Sequence, residues 1–166
     1  MKKRRKSTER KDGMVYNNNE GGKYADLFVQ TLQFPQGMGT PEYMEMYKRF
    51  SKRILWMDGS VCPGAFQMNT AWYYAVPERD PIFLEHSHDS SELLGFFGSD
   101  PEDPYNLNAE LIFTIDGEAH RIDRSTMIFL PPRIPHNPMR ILRVDKPIFH
   151  FSIVPTAAYD GTDTYK

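Results

Sequence analysis

Proline and glycine cut the chain after about residue 60 into apolar runs that are short and closely bounded, and this punctuation restricts the fold more than any other feature. Pro77 to Pro81 forms a turn cluster, Pro131-Pro132 ends one run and Pro155 ends the last, within a total of 13 prolines. Short runs between such residues read as strands. Ala65 to Val76 alternates, with Phe66, Met68, Trp72, Tyr74 and Val76 on one face, and Ile82 to His88 resumes extended structure. Glu110 to Ile115 and Glu118 to Asp123 flank Asp116-Gly117, the pair expected in a two-residue type I′ hairpin. Met127 to Leu130 is a short apolar strand, and Ile148 to Val154 is the last clear one. Many short strands joined by Pro and Gly turns predict an all-β sandwich or barrel.

Length places that fold in one domain with appendages: the chain has 166 residues, 40% apolar and 25% charged. No apolar run approaches the roughly 20 residues of a spanning helix, and no signal-peptide core follows Met1. The single Cys62 can close no internal disulfide and build no cysteine-rich zinc site, so a reduced, cytoplasmic setting is expected. Charge is uneven. Lys2, Lys3, Arg4, Arg5, Lys6, Arg10 and Lys11 against Glu9 and Asp12 give the first twelve residues +5, and the net charge of −2 leaves −7 for the rest. With no aromatic residues interleaved in the tail and an acidic body, nucleic acid is disfavoured as a partner.

Four segments result. Residues 1–23 read as a basic, disordered tail, and residues 158–166 as a C-terminal tail. Residues 24–60 form an N-terminal extension with one helix: Thr40 is placed to cap it, Pro41 suits its first position, and Glu42 favours its positive end. Tyr43, Tyr47, Phe50 and Ile54 recur at helical spacing and are expected to pack on the body. Residues 61–157 are the barrel.

Chemistry concentrates in two stretches. In His86-Ser87-His88-Asp89-Ser90-Ser91-Glu92, an extended backbone places positions 86, 88 and 92 on one face. Two imidazoles and a carboxylate are donors for a first-row divalent metal. The second stretch is Pro131-Pro132-Arg133-Ile134-Pro135-His136-Asn137-Pro138, which holds His136 on a backbone stiffened by proline.

Together these stretches resemble the motifs of the cupin superfamily over residues 65–155. The first motif, G(x)5HxH(x)3–4E(x)6G, is met by His86, His88 and Glu92, with Gly98 as its closing glycine one residue early. The second, G(x)5PxG(x)2H(x)3N, is met by Pro131 and His136. Asp80, Ser125 and Arg133 stand at motif glycines, and Arg140 stands at the motif asparagine. The resemblance implies a double-stranded β-helix, the cupin jelly-roll barrel, with the N-terminal helical extension beside it. It implies one divalent transition metal (Fe, Mn, Zn, Ni or Co) held by His86, His88, Glu92 and His136. Relatives that dimerise make a homodimer an expectation as well.

His150, on the strand face of Ile148, Ser152 and Val154, is a candidate proton shuttle, and Arg133 and Arg140 are candidate clamps for a substrate carboxylate. His120 reads as structural, and Ser99 to Pro104 as an acidic, solvated insertion. The chain has no P-loop, Rossmann glycine fingerprint or nucleophile elbow. The leading expectation is a metal-dependent enzyme of the dioxygenase, isomerase or decarboxylase type, acting on a small oxygen-bearing molecule. The alternative is a non-catalytic small-molecule binder or sensor, although one helix is too few for a helix-turn-helix.

Overall fold

Thr40 caps the helix as its sequence predicts: its hydroxyl accepts the Tyr43 amide at 3.1 Å, and Pro41 occupies the first turn. These features belong to a computed structural model that describes residues 8–9, 15–16, 23–33 and 40–158. The expectations for the remainder of the two tails lie outside the described residues. Residues 1–30 and 31–166 are two compact units. In the first, β1 (Thr8–Glu9) and β2 (Val15–Tyr16) pair antiparallel, and a 3-10 turn spans Ala25–Leu27.

The second unit opens with α1 (Pro41–Phe50), whose Tyr43, Tyr47 and Phe50 are buried as a stripe. The helix is shorter than the spacing predicts. It stops at Phe50, and Ile54 falls in strand β3 (Ser51–Met57). Residues 51–57 therefore belong to a sheet, N-terminal to the expected start of the barrel at residue 61. The other strands are β4 (Gln67–Tyr73), β5 (Glu92–Gly98), β6 (Asn106–Ile115), β7 (Glu118–Arg124), β8 (Thr126–Leu130), β9 (His136–Val144) and β10 (Ile148–Val154). They form a five-stranded sheet ordered β3-β4-β10-β5-β8 and a three-stranded sheet ordered β7-β6-β9. Every pairing is antiparallel. The all-β expectation holds, and the two antiparallel sheets fit the expected jelly-roll barrel.

Local chemistry accounts for the turns. Asp116 and Gly117 take φ of 47° and 79°, the two left-handed positions of a type I′ turn, and Ile115 pairs with Glu118 across it. Gly98 is needed for a different reason: a Cβ there would lie 2.0 Å from the Asn106 carbonyl oxygen, where β5 passes the start of β6. Between the sheets, Leu107, Leu111 and Phe113 of β6 and Met139 and Ile141 of β9 face Leu94 and Phe96 of β5 and Ile148 of β10 in one core.

The faces of β4 carry a surprise. Its inward residues are Gln67, Asn69, Ala71 and Tyr73, while the apolar set read from the alternation points outward. Phe66, Tyr74 and Val76 are exposed, and Trp72 packs edge-on against Phe149 at 5.4 Å between ring centres. A polar inner face is the first sign of a site within the barrel. The segment Ile82 to His88 is not a strand either. It pairs with the second sheet through the isolated bridges Phe83–Met139 and His86–His136.

Candidate metal centre

The two histidine-bearing segments are laced together by their backbones. The His86 amide donates to the His136 carbonyl at 3.0 Å, and the His136 amide donates back to the His86 carbonyl at 2.9 Å. The Arg133 amide bonds the His88 carbonyl at 2.8 Å. Arg133 stands where the second motif has glycine, and its φ of 67° explains why glycine suits that turn. Stiff pairing of this kind positions side chains at low entropic cost.

His86, His88 and His136 converge, with one ring nitrogen from each lying within 4.8 Å of the other two. Each Nδ1 points at a backbone carbonyl: Leu84 at 3.0 Å, Ser90 at 2.6 Å and Ile134 at 2.9 Å. A carbonyl only accepts, so each Nδ1 carries the hydrogen and each neutral ring turns an Nε2 lone pair inward. The Nε2 atoms of His86 and His136 are buried and make no hydrogen bond. Glu92, at the start of β5, brings one carboxylate oxygen to 3.2 Å from His88 Nε2 and 3.3 Å from His136 Nε2. Neutral rings would set acceptor against acceptor there. A cation among the four groups resolves that conflict, so this donor set fits a divalent transition metal.

Electrostatics agrees with the crowding. Burial pushes the Glu92 carboxyl up, but the adjacent His136 and His88 rings, in their protonated form, outweigh it and hold the pKa at about 2. Burial lowers the His86 pKa, opposed by the Leu84 carbonyl.

A cavity of about 50 Å³ opens beside the cluster. Its walls come from both sheets and from α1, through Tyr47. His86 and Glu92 lie at one part of the lining, Asn69, Ser152 and His150 at another, and Leu94, Phe96, Phe113 and Met139 supply apolar surface. His150 does line this cavity. Its Nδ1 donates to the Gly95 carbonyl at 3.0 Å, and its ring stacks between Phe96 and Tyr73, with centres at 4.8 and 5.1 Å. Burial lowers its pKa to about 4, so it is neutral at ordinary pH.

The two arginine candidates are placed elsewhere. Arg133 Nε bonds Asp89 at 2.9 Å, with both side chains about four-fifths exposed. Arg140 Nε bonds Asp80 at 2.8 Å. Neither lines the cavity. Asp80 and Arg140 are both departures from the cupin motifs, and they have become partners of each other. His120 is exposed on β7 beside Glu118. Asp100 of the acidic insertion receives Lys146 at 2.6 Å.

The residue missed by sequence reasoning is Arg53, a cavity-lining side chain from β3. Its Nη1 bonds Asn69 Oδ1 at 2.7 Å, and its guanidinium lies over Tyr47 and Trp56 at 5.1 and 5.6 Å from the ring centres. The signal that hides it is the helical spacing running through Phe50 to Ile54, which assigns Arg53 to a solvated helix face.

No family model matches the chain, and no curated protein matches it. Solved structures do match. An oxalate oxidase in complex with glycolate is 13% identical, aligns over 88% of this chain and 67% of its own, and gives a TM-score of 0.48. An RmlC-like cupin from Shewanella frigidimarina is 13% identical over 77% of this chain and 93% of its own, with a TM-score of 0.40. KdgF from Halomonas sp. is 12% identical over 66% and 79%, with a TM-score of 0.38. This chain spans about two thirds of the oxalate oxidase chain.

Proposed function

We propose that the chain holds one divalent transition metal on His86, His88, Glu92 and His136 and acts as an enzyme on a small oxygen-bearing organic molecule. The observation that carries this reading is the meeting of one ring nitrogen from each of three histidines within 4.8 Å while every Nδ1 has a backbone carbonyl beside it. A bound ion of this class supplies Lewis acidity toward substrate oxygens, with redox chemistry added if it is iron or manganese.

The chain's own groups do the rest. The Leu84, Ser90 and Ile134 carbonyls fix the ring planes, as outer partners of ligand histidines do. The apolar wall of Leu94, Phe96, Phe113 and Met139 limits water in the cavity. His150 keeps its proton on Nδ1 and presents Nε2 as an acceptor, a role for a neutral imidazole that burial keeps from charging. A dipositive ion, three neutral imidazoles and one carboxylate sum to a positive site, which favours an anionic or chelating substrate. Dioxygenation, isomerisation and decarboxylation share such donor sets, and the fold does not choose among them.

The test is a screen of small hydroxy acids, enols and catechols against metal-loaded protein, with and without oxygen. Turnover that disappears on chelation and returns with the metal is expected. Ligand-induced thermal stabilisation with no turnover of any compound would instead identify a binder or sensor.

A further inference from the structure

We propose that Arg53 and Asn69 form a carboxylate-binding subsite on the wall of the same cavity, so that the molecule received there is a small carboxylate anion. This rests on the metal-centre reading for its other end, but the subsite is built from different residues.

The sheet places the two ends in one lining. Arg53, Ala71, His150 and Phe96 form a row across β3, β4, β10 and β5 in register. Three strand spacings, roughly 14 Å along the sheet, separate the ends of that row, and the barrel's curvature turns both toward the cavity they line. Between them lies Ala71, small and fully buried. A register irregularity between Arg53 and Leu55 marks a bulge, a device that re-aims a side chain. Among the described residues lining the cavity, Arg53 is the one permanent cation and Glu92 the one carboxylate, and Glu92 is engaged by His88 and His136.

Arg53 is also held in place. The rings of Tyr47 and Trp56 flank its guanidinium, and the Trp56 indole is itself fixed by Asp58 at 2.7 Å. Its bond to Asn69 commits that amide's oxygen and leaves the NH2 as a further donor at the wall. A planar fork with an amide donor beside it matches the two oxygens of a carboxylate. His150 senses the charges of both Arg53 and Glu92, in opposite directions, as a group lying between them would.

Calorimetric titration of the manganese-loaded full chain with lactate against lactamide, and malonate against malonamide, tests the subsite with probes that differ in charge at nearly constant size. Each carboxylate should bind roughly 10- to 100-fold more tightly than its amide. Arg53→Gln should cut that preference about tenfold, down to what the ion alone confers, while metal content stays put. Arg53→Lys, which keeps the charge without the fork, should retain part of it and decides the matter if the glutamine variant does not fold. A preference unchanged in the folded variants, or no preference in the wild type, overturns the subsite. The same titration without metal separates the two readings: a wild type that takes up no ion sinks the metal centre, yet a carboxylate preference lost in Arg53→Gln would still uphold the subsite.

Discussion

At the scale of single residues, His150 and Glu92 show how burial sets protonation. The His150 pKa is lowered to about 4 by burial, against 6.5 for an exposed ring. The folded state thus resists a proton that the unfolded state accepts, so stability is full above 6.5 and declines as pH falls toward 4. The predicted loss from His150 alone is about 3 kcal/mol across that window. Burial lowers His86 in the same direction and adds to the slope. Urea unfolding at pH 7 and pH 4.5 of wild type and His150→Gln checks this: the variant should have the shallower pH dependence, and equal slopes would contradict the assignment. Glu92, held at about 2, contributes stability that is lost only at lower pH, between its ordinary 4.5 and that value. Glu92→Gln keeps the shape and removes the charge, and metal affinity in a titration should fall roughly 10- to 100-fold. His86, His88, Glu92 and His136 were named together through the resemblance to the cupin motifs, and their side chains lie close together in the fold. Arg53 was not legible, since nothing local distinguishes a bulged strand arginine from one on a helix face.

At the scale of elements, strands whose ends are marked by turn chemistry were read closely. β10 begins and ends at the expected Ile148 and Val154, and the hairpin of β6 and β7 turns at Asp116-Gly117. Elements whose surroundings decide their character were not. Period-two alternation in β4 separates two faces without saying which is inside, and a polar pocket reverses the usual choice. The helix lost its last predicted turn because pairing of residues 51–57 with β4 outweighs continued helical spacing. Gly98 was matched as a motif position, while its physical reason, the Asn106 carbonyl, required the fold. Gly98→Ala should therefore destabilise by about 1–3 kcal/mol, measured by denaturant unfolding. A neutral result would mean that β5 and β6 part at no cost.

At the scale of the whole molecule, two sheets and a helix of the second unit line a cavity, and the donors that meet beside it come from segments separated by more than forty positions along the chain. Among the described residues no helix is long and apolar enough to cross a membrane. A metal bound only by the folded barrel must stabilise it by mass action. At an ion concentration about a hundredfold above the dissociation constant, the melting temperature should rise by roughly 5–10 °C. Scanning calorimetry with added ion or chelator checks this, and coincident melts would contradict it.

The most direct measurement is elemental analysis of wild type, His88→Ala and His136→Ala purified without chelators. Close to one divalent transition-metal ion per wild-type chain is predicted, with occupancy severely reduced in both folded variants. Equal metal content in all three proteins would contradict the ligand set.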